Sequence, residues 1–145
     1  MAGLSTNFRP VLKKGDWELQ KMQMKESVAM EEGAVLYSDL AGEMTISTGA
    51  ETNQMGILAE AIAATDSDYA TAKKLKYVYV PKSVNAECYF TVGAGTFTVA
   101  DVGKVVALND SKSLAVDTAG TRARITAYLS STRGKCVLNL VMSQT

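Results

Sequence analysis

The run VGAGTFTVADVGKVVALN, residues 92–109, gathers glycines at 93, 95 and 103 and a Gly-Lys pair. In a phosphate-binding loop such a composition presents backbone N–H groups and an ammonium to phosphate oxygens. The spacing argues against that use. A Walker loop needs a glycine five residues ahead of the Gly-Lys pair and a hydroxyl residue after it, where this chain has Thr98 and Val105. The dinucleotide fingerprint needs a third glycine where Thr98 stands, and no strand–loop–helix pattern surrounds the run. Histidine is absent from the chain, which removes the Ser-His-Asp and Cys-His pairs and the usual zinc sites. Asp, Glu, Lys, Tyr and Cys are left as catalysts, so an enzyme ranks last among the function classes. Cys88 in AECYFTV and Cys136 in GKCVLNLVM each keep step with apolar neighbours at period two, and read as buried free thiols in preference to a disulfide. Asp66, Asp68, Glu31 and Glu32 could offer oxygens to calcium, but no EF-hand spacing or turn glycine accompanies them, and they read as solvated loops. The expectation is therefore no catalytic residue, no metal and no cofactor.

The elements that must carry these residues are short and of period two. LQKMQM, KYVYV, ECYFTV, KVVAL, ITAYL and CVLNLVM are rich in β-branched, aromatic or alternating apolar residues, with Gly, Asn, Asp and Ser between them. The fold class expected is all-β, a small barrel or sandwich of short antiparallel strands occupying residues 17–145 as one domain. STRG, residues 131–134, reads as a hairpin loop in which Gly134 supplies a positive φ. A short helix is expected within TDSDYATAKKLK, capped by Asp66 or Ser67. With 145 residues, 47% of them hydrophobic, the chain can bury a core without staples.

Sliding the chain on itself so that Glu32 lies on Val102 aligns the two halves, about 17–80 and 86–142, without a gap through their central part. Gly33 then meets Gly103, Val35 meets Val105, and Leu36, Met44, Ile46 and Met55 meet Val106, Leu114, Val116 and Ile125. Two explanations stand side by side: a duplication, or one supersecondary recipe used twice. In either, Gly33 and Gly103 sit at backbone positions that disfavour a side chain, and Lys104 is a solvated strand-start residue.

Residues 1–16 have no periodicity, and Pro10 favours extended backbone. They read as an N-terminal arm that adds little to the fold. It is either an inert tail or an anchor in which Phe8, Val11 and Leu12 fill grooves on a partner while Arg9, Lys13 and Lys14 face acidic groups, with Pro10 keeping the segment extended. Charge is uneven although the net is zero. Residues 26–72 hold nine acids and no Lys or Arg, while residues 1–25 hold five bases against two acids and residues 73–145 ten against four. Copies of the chain could dock acidic flank to basic flank, or the charges could mix once folded. Neither nucleic acid nor membrane is expected as a partner. The bases are thinly spread without interleaved Phe or Trp, no apolar run approaches a membrane span, and the first residues lack the apolar core of a secretory leader.

The order V-x-x-G-x-V, a polar turn, GILAEAI, then DVGKVVAL, a polar tip and the closing RITAYL…GKCVLNL resembles the small β-rich capsid decoration proteins of tailed bacteriophages, also called cement or auxiliary head proteins. The resemblance spans roughly residues 17–142. In it Val28, Gly33, Val35, Gly56, Ile57, Asp101, Gly103, Lys104 and Val106 are fold-defining positions, while AATDSDYATAKK departs from the pattern as an insertion. It implies a non-enzymatic virion protein, assembled in the host cytoplasm, that binds the major capsid protein on the shell's exterior, stabilises it, and associates with itself as a trimer. A small-ligand-binding β-barrel, with an apolar pocket of about 300 Å3 or more, and another phage head or tail component are the alternatives.

Overall fold

A computed structural model describes residues 7–13, 15–39 and 41–140. The described residues are all-β. The strands are β1 (Arg9–Pro10), β2 (Trp17–Met24), β3 (Val35–Ser38), β4 (Met44–Ile46), β5 (Gln54–Leu58), β6 (Lys74–Pro81), β7 (Glu87–Ala94), β8 (Val105–Asp110), β9 (Ser113–Ala119), β10 (Ala123–Ser130) and β11 (Arg133–Leu138), with one 3₁₀ turn at Val99–Asp101. Every alternating run named from the sequence contributes to a strand, because side chains of period two leave one face for a core and one for solvent.

β2, β4, β3, β5 and β6 close into a barrel in that order. The second sheet runs β1-β7-β11-β10-β8-β9, and β9 pairs again with β7, so its five long strands close into a ring of the same connectivity with β1 added outside. In both rings the first and third strands are parallel, Met24 opposite Met44 and Val92 opposite Leu114. The ladders agree at two aligned pairs, Tyr37 with Thr45 and Ser38 with Met44 as Ala107 with Ala115 and Leu108 with Leu114, and then diverge, Leu36 pairing with Ile46 but Val106 with Ala119 across a register shift. Gly33 and Gly103 both have positive φ, 89° and 96°. The halves differ between their last two strands. Residues 59–73 join β5 to β6, whereas Ser131 and Thr132 alone join β10 to β11. The segment that departs from the resemblance is thus a connection that barrel closure does not need.

That connection holds no helix. Amides of Asp66, Tyr69 and Thr71 bond to carbonyls three residues earlier, Ala63, Asp66 and Asp68, giving separate turns, and Lys73 takes φ 58°, a conformation that no helix continues through. The expectation for Gly134 also needs correction. It lies buried in β11 without a positive φ, and a Cβ there would come within 2.6 Å of the Ala127 carbonyl and 2.8 Å of the Phe90 ring. Close approach, not turn geometry, requires glycine there.

Met24, Met30, Leu36, Leu58, Val78 and Val80 fill the first barrel. The second core is built on Phe90, Phe97, Leu114, Ile125 and Leu138, and it also takes Val35 and Ile57 from the first half, so the two barrels share buried surface. The Val35 amide bonds to the Ser111 carbonyl at 2.8 Å across that junction.

Candidate partner-binding face

The N-terminal segment is divided by side-chain direction. Phe8 is 1% exposed and belongs to the second core, its amide bonded to the Gly33 carbonyl at 3.1 Å. Arg9 and Pro10 pair with Tyr89 and Cys88 of β7, and the Val11 amide reaches the Glu87 carbonyl at 2.9 Å. Phe8 and Pro10 are buried by the chain itself, so the expectation that Phe8 fills a partner's groove is corrected: an aromatic ring beside an open strand edge is buried at home. Val11 is half-buried. Arg9, Leu12 and Lys13 point outward, Leu12 with 71% of its surface exposed. Lys14 lies outside the described residues, as do residues 1–6.

Arg9, Tyr89 and Lys135 are cross-strand neighbours over β1, β7 and β11. The Arg9 guanidinium carbon lies 5.1 Å from the Tyr89 ring centroid, Lys135 Nζ 5.4 Å and the Arg133 guanidinium carbon 6.0 Å. Each such contact is worth about 0.5–1 kcal/mol at an exposed site, and together they hold three cations around one ring. Glu87, two residues before Tyr89, accepts a hydrogen bond from the Thr126 hydroxyl at 2.5 Å and an ion pair from Lys13 at 3.3 Å. Thr126, and after it Lys13, hold its carboxyl below the ordinary range against the opposing effect of burial. Of the cations on this face, Lys13 pairs with Glu87 and Lys135 also acts on it, while Arg9 and Arg133 lie against the Tyr89 ring.

The corresponding outer face of the first barrel is more apolar. Leu19, Lys21 and Gln23 on β2 stand opposite Tyr79, Tyr77 and Leu75 on β6. Leu19, Leu75 and Tyr77 are 50%, 55% and 43% exposed, and Lys21 Nζ lies 5.2 Å from the Tyr77 centroid. The two outer faces adjoin at a groove of about 360 Å3 whose walls include Arg9, Leu12, Glu32, Tyr79 and Tyr89. Aliphatic, aromatic and basic side chains thus form one band that passes Glu32 in the groove wall; its tyrosines and arginines are residue types in which protein interfaces are enriched.

Other motifs resolve into structure. Lys104 of the Gly-Lys pair lies 2.8 Å from the Asp101 carboxylate, which also accepts the Thr98 amide at 2.9 Å. Cys88 and Cys136 face each other across β7 and β11 as free buried thiols, sulfurs 3.6 Å apart. Folding also mixes part of the segregated charge. Glu31, Asp39 and Asp68 pair with Lys112, Lys25 and Lys76 from the flanking segments. Tyr89, Arg133, Lys135, Lys21 and Tyr77 were missed from the sequence, although each takes the outward step of an alternating strand. Knowing that they share a band requires the strand pairing, which alternation does not supply. No known protein family, curated protein or solved structure gave a match to this chain.

Proposed function

We propose that the chain is a structural, non-enzymatic protein that binds the outer surface of a phage capsid and stabilises the shell. The observation that carries this reading is the exposed band from Leu75, Tyr77 and Leu19 through Leu12 to Arg9, Tyr89 and Lys135. An exposed set of this kind marks contact with another macromolecule, since soluble surfaces seldom group large apolar side chains without use. Its cations select a partner whose facing surface is acidic, and the major capsid protein is the partner the resemblance implies. On the shell the copies sit as trimers, with the virion exterior as their location.

Electron microscopy of capsids produced with and without the gene for this chain tests the proposal. Extra density in a regular lattice, present only with the gene and lost on Leu12→Asp together with Tyr77→Ala, is the expected result. Capsids identical in the two preparations, with the chain in the unbound fraction, would remove the reading.

A further inference from the structure

Arg9, Arg133 and Lys135 are drawn around one aromatic ring and left without an anion. Their charged ends lie 5.1, 6.0 and 5.4 Å from the Tyr89 ring centroid. All three therefore stand within one Debye length, about 8 Å in physiological salt, of a common centre. Among the described residues none of the three makes an ion pair. Glu87 is engaged by Lys13 and the Thr126 hydroxyl, and Lys135 acts on it only at longer range. Glu32 shares the groove wall with Arg9 and Tyr89, but Arg133 and Lys135 do not line that groove. The mutual repulsion of the three cations is left for an ion from solution to relieve.

The register of the sheet places these donors. Arg9, Tyr89 and Lys135 form one row across β1, β7 and β11, and Arg133 stands opposite Thr91, two residues along β11 from Lys135. Each guanidinium offers a planar fork of N–H groups and the ammonium three N–H donors, all charged at neutral pH. Arg133 Nε is enclosed without a hydrogen-bond partner among the described residues, so that side chain is held by packing and its terminal nitrogens are uncommitted. The Tyr89 hydroxyl adds a donor that no described residue takes up. A carboxylate has two oxygens for these three cations, whereas a phosphate or sulfate group brings three or four. We propose that Arg9, Arg133, Lys135 and Tyr89 form a binding site for a tetrahedral oxyanion, a phosphate or sulfate group, on the outer face of the second barrel. The first barrel offers no counterpart at Tyr77, where Lys21 stands against the ring and the Glu60 carboxylate accepts the Tyr77 amide at 2.7 Å. The site does not rest on the capsid reading, since its ligand is an ion and not a protein surface.

Titration of the isotope-labelled chain with inorganic phosphate, at an ionic strength held constant with sodium chloride, tests this through amide NMR shifts. The expected result is a saturable shift centred on Tyr89, Arg133 and Lys135, with a melting temperature that rises with phosphate. Arg133→Gln or Lys135→Gln should each weaken binding about tenfold, the loss of one hydrogen bond to a charged group. Lys21→Gln removes the same charge from the first barrel and should leave binding unchanged. Glycerol phosphate that binds more tightly than inorganic phosphate would identify the ligand as an ester on a larger molecule, and equal binding would identify the free ion. Shifts that do not saturate, or that acetate reproduces, overturn the site. So does a loss on Lys21→Gln equal to that on Arg133→Gln, which would reduce the effect to net charge. None of these outcomes bears on whether the chain decorates a shell.

Discussion

Phe8 and Leu12 lie in one short segment and have opposite uses, one in the core and one in the groove wall. Phe8→Ala should cost about 3–5 kcal/mol of stability by urea unfolding, the range for deleting a buried ring, whereas Leu12→Ala should stay within about 0.5 kcal/mol and act on binding alone. Equal effects on stability would mean that the segment is docked differently. Burial, and after it the facing Cys88, push the Cys136 thiol well above the ordinary thiol range. Both cysteines are buried and unbridged, so both should resist alkylation in the native protein and react together on unfolding, with intact mass spectrometry counting two added groups and no native bridge. Lys104, and after it the Thr98 amide, hold Asp101 below the usual carboxylate range, and Asp68 is held low by Lys76. A carboxyl depressed in the folded state binds its proton more readily when unfolded. Its contribution is therefore present above the unfolded value, about 4, and lost as pH falls through the folded one. The melting temperature should be level from pH 8 to about 5 and fall below about 4, and Asp101→Asn should make that acid limb shallower.

The strands show which structural levels alternation reaches. β2, β6, β7, β8 and β10 were legible because apolar residues at every second position can serve one buried face. The paired halves were legible from Gly33 and Gly103. Strand order and register were not, since alternation fixes which face is buried and not which neighbour lies alongside. β1 was missed for a related reason: two residues carry no period, and their pairing depends on β7 offering an edge. The band was legible only in Arg9, Leu12 and Lys13, which share one segment, and not in residues drawn from four further strands. Gly33 shows how one position serves two elements. A Cβ there would fall 2.5 Å from both the Asn7 Cβ and the Phe8 carbonyl oxygen, while one on Gly103 meets nothing within 4 Å. Gly103→Ala should therefore cost only the left-handed backbone penalty, about 1–2 kcal/mol. Gly33→Ala should cost more and loosen the N-terminal segment, seen as faster hydrogen exchange at the Val11 amide. Similar losses at the two glycines would show that the segment yields without penalty.

At the scale of the whole molecule, the segregated charge of the sequence and the charge of the folded surface are different quantities. Lysines 25, 76 and 112 fold back onto acids of residues 26–72. Each of these pairs has at least one solvent-exposed partner and is worth about 0–1 kcal/mol, yet they reduce the acidic field that another copy could meet. The cations around Tyr89 keep their excess, because Glu87 is committed to Lys13 and Thr126. Salt should accordingly act on the band more than on cohesion between copies. The Debye length falls from about 10 Å at 0.1 M to about 3 Å at 1 M, so in the proposed docking on a capsid any attraction between Arg9, Lys21, Arg133 or Lys135 and acidic groups of the shell is screened, while burial of Leu12, Leu19, Leu75 and Tyr77 is not. Shell occupancy measured by co-sedimentation should fall over that range without vanishing, and the fall should be smaller for Arg133→Glu with Lys135→Glu, whose remaining attachment is apolar. Occupancy in the unmodified chain that is indifferent to salt would assign the band's binding to its aliphatic and aromatic members alone. Complete release at 1 M would assign it to the cations, and the exposed leucines would then need another use.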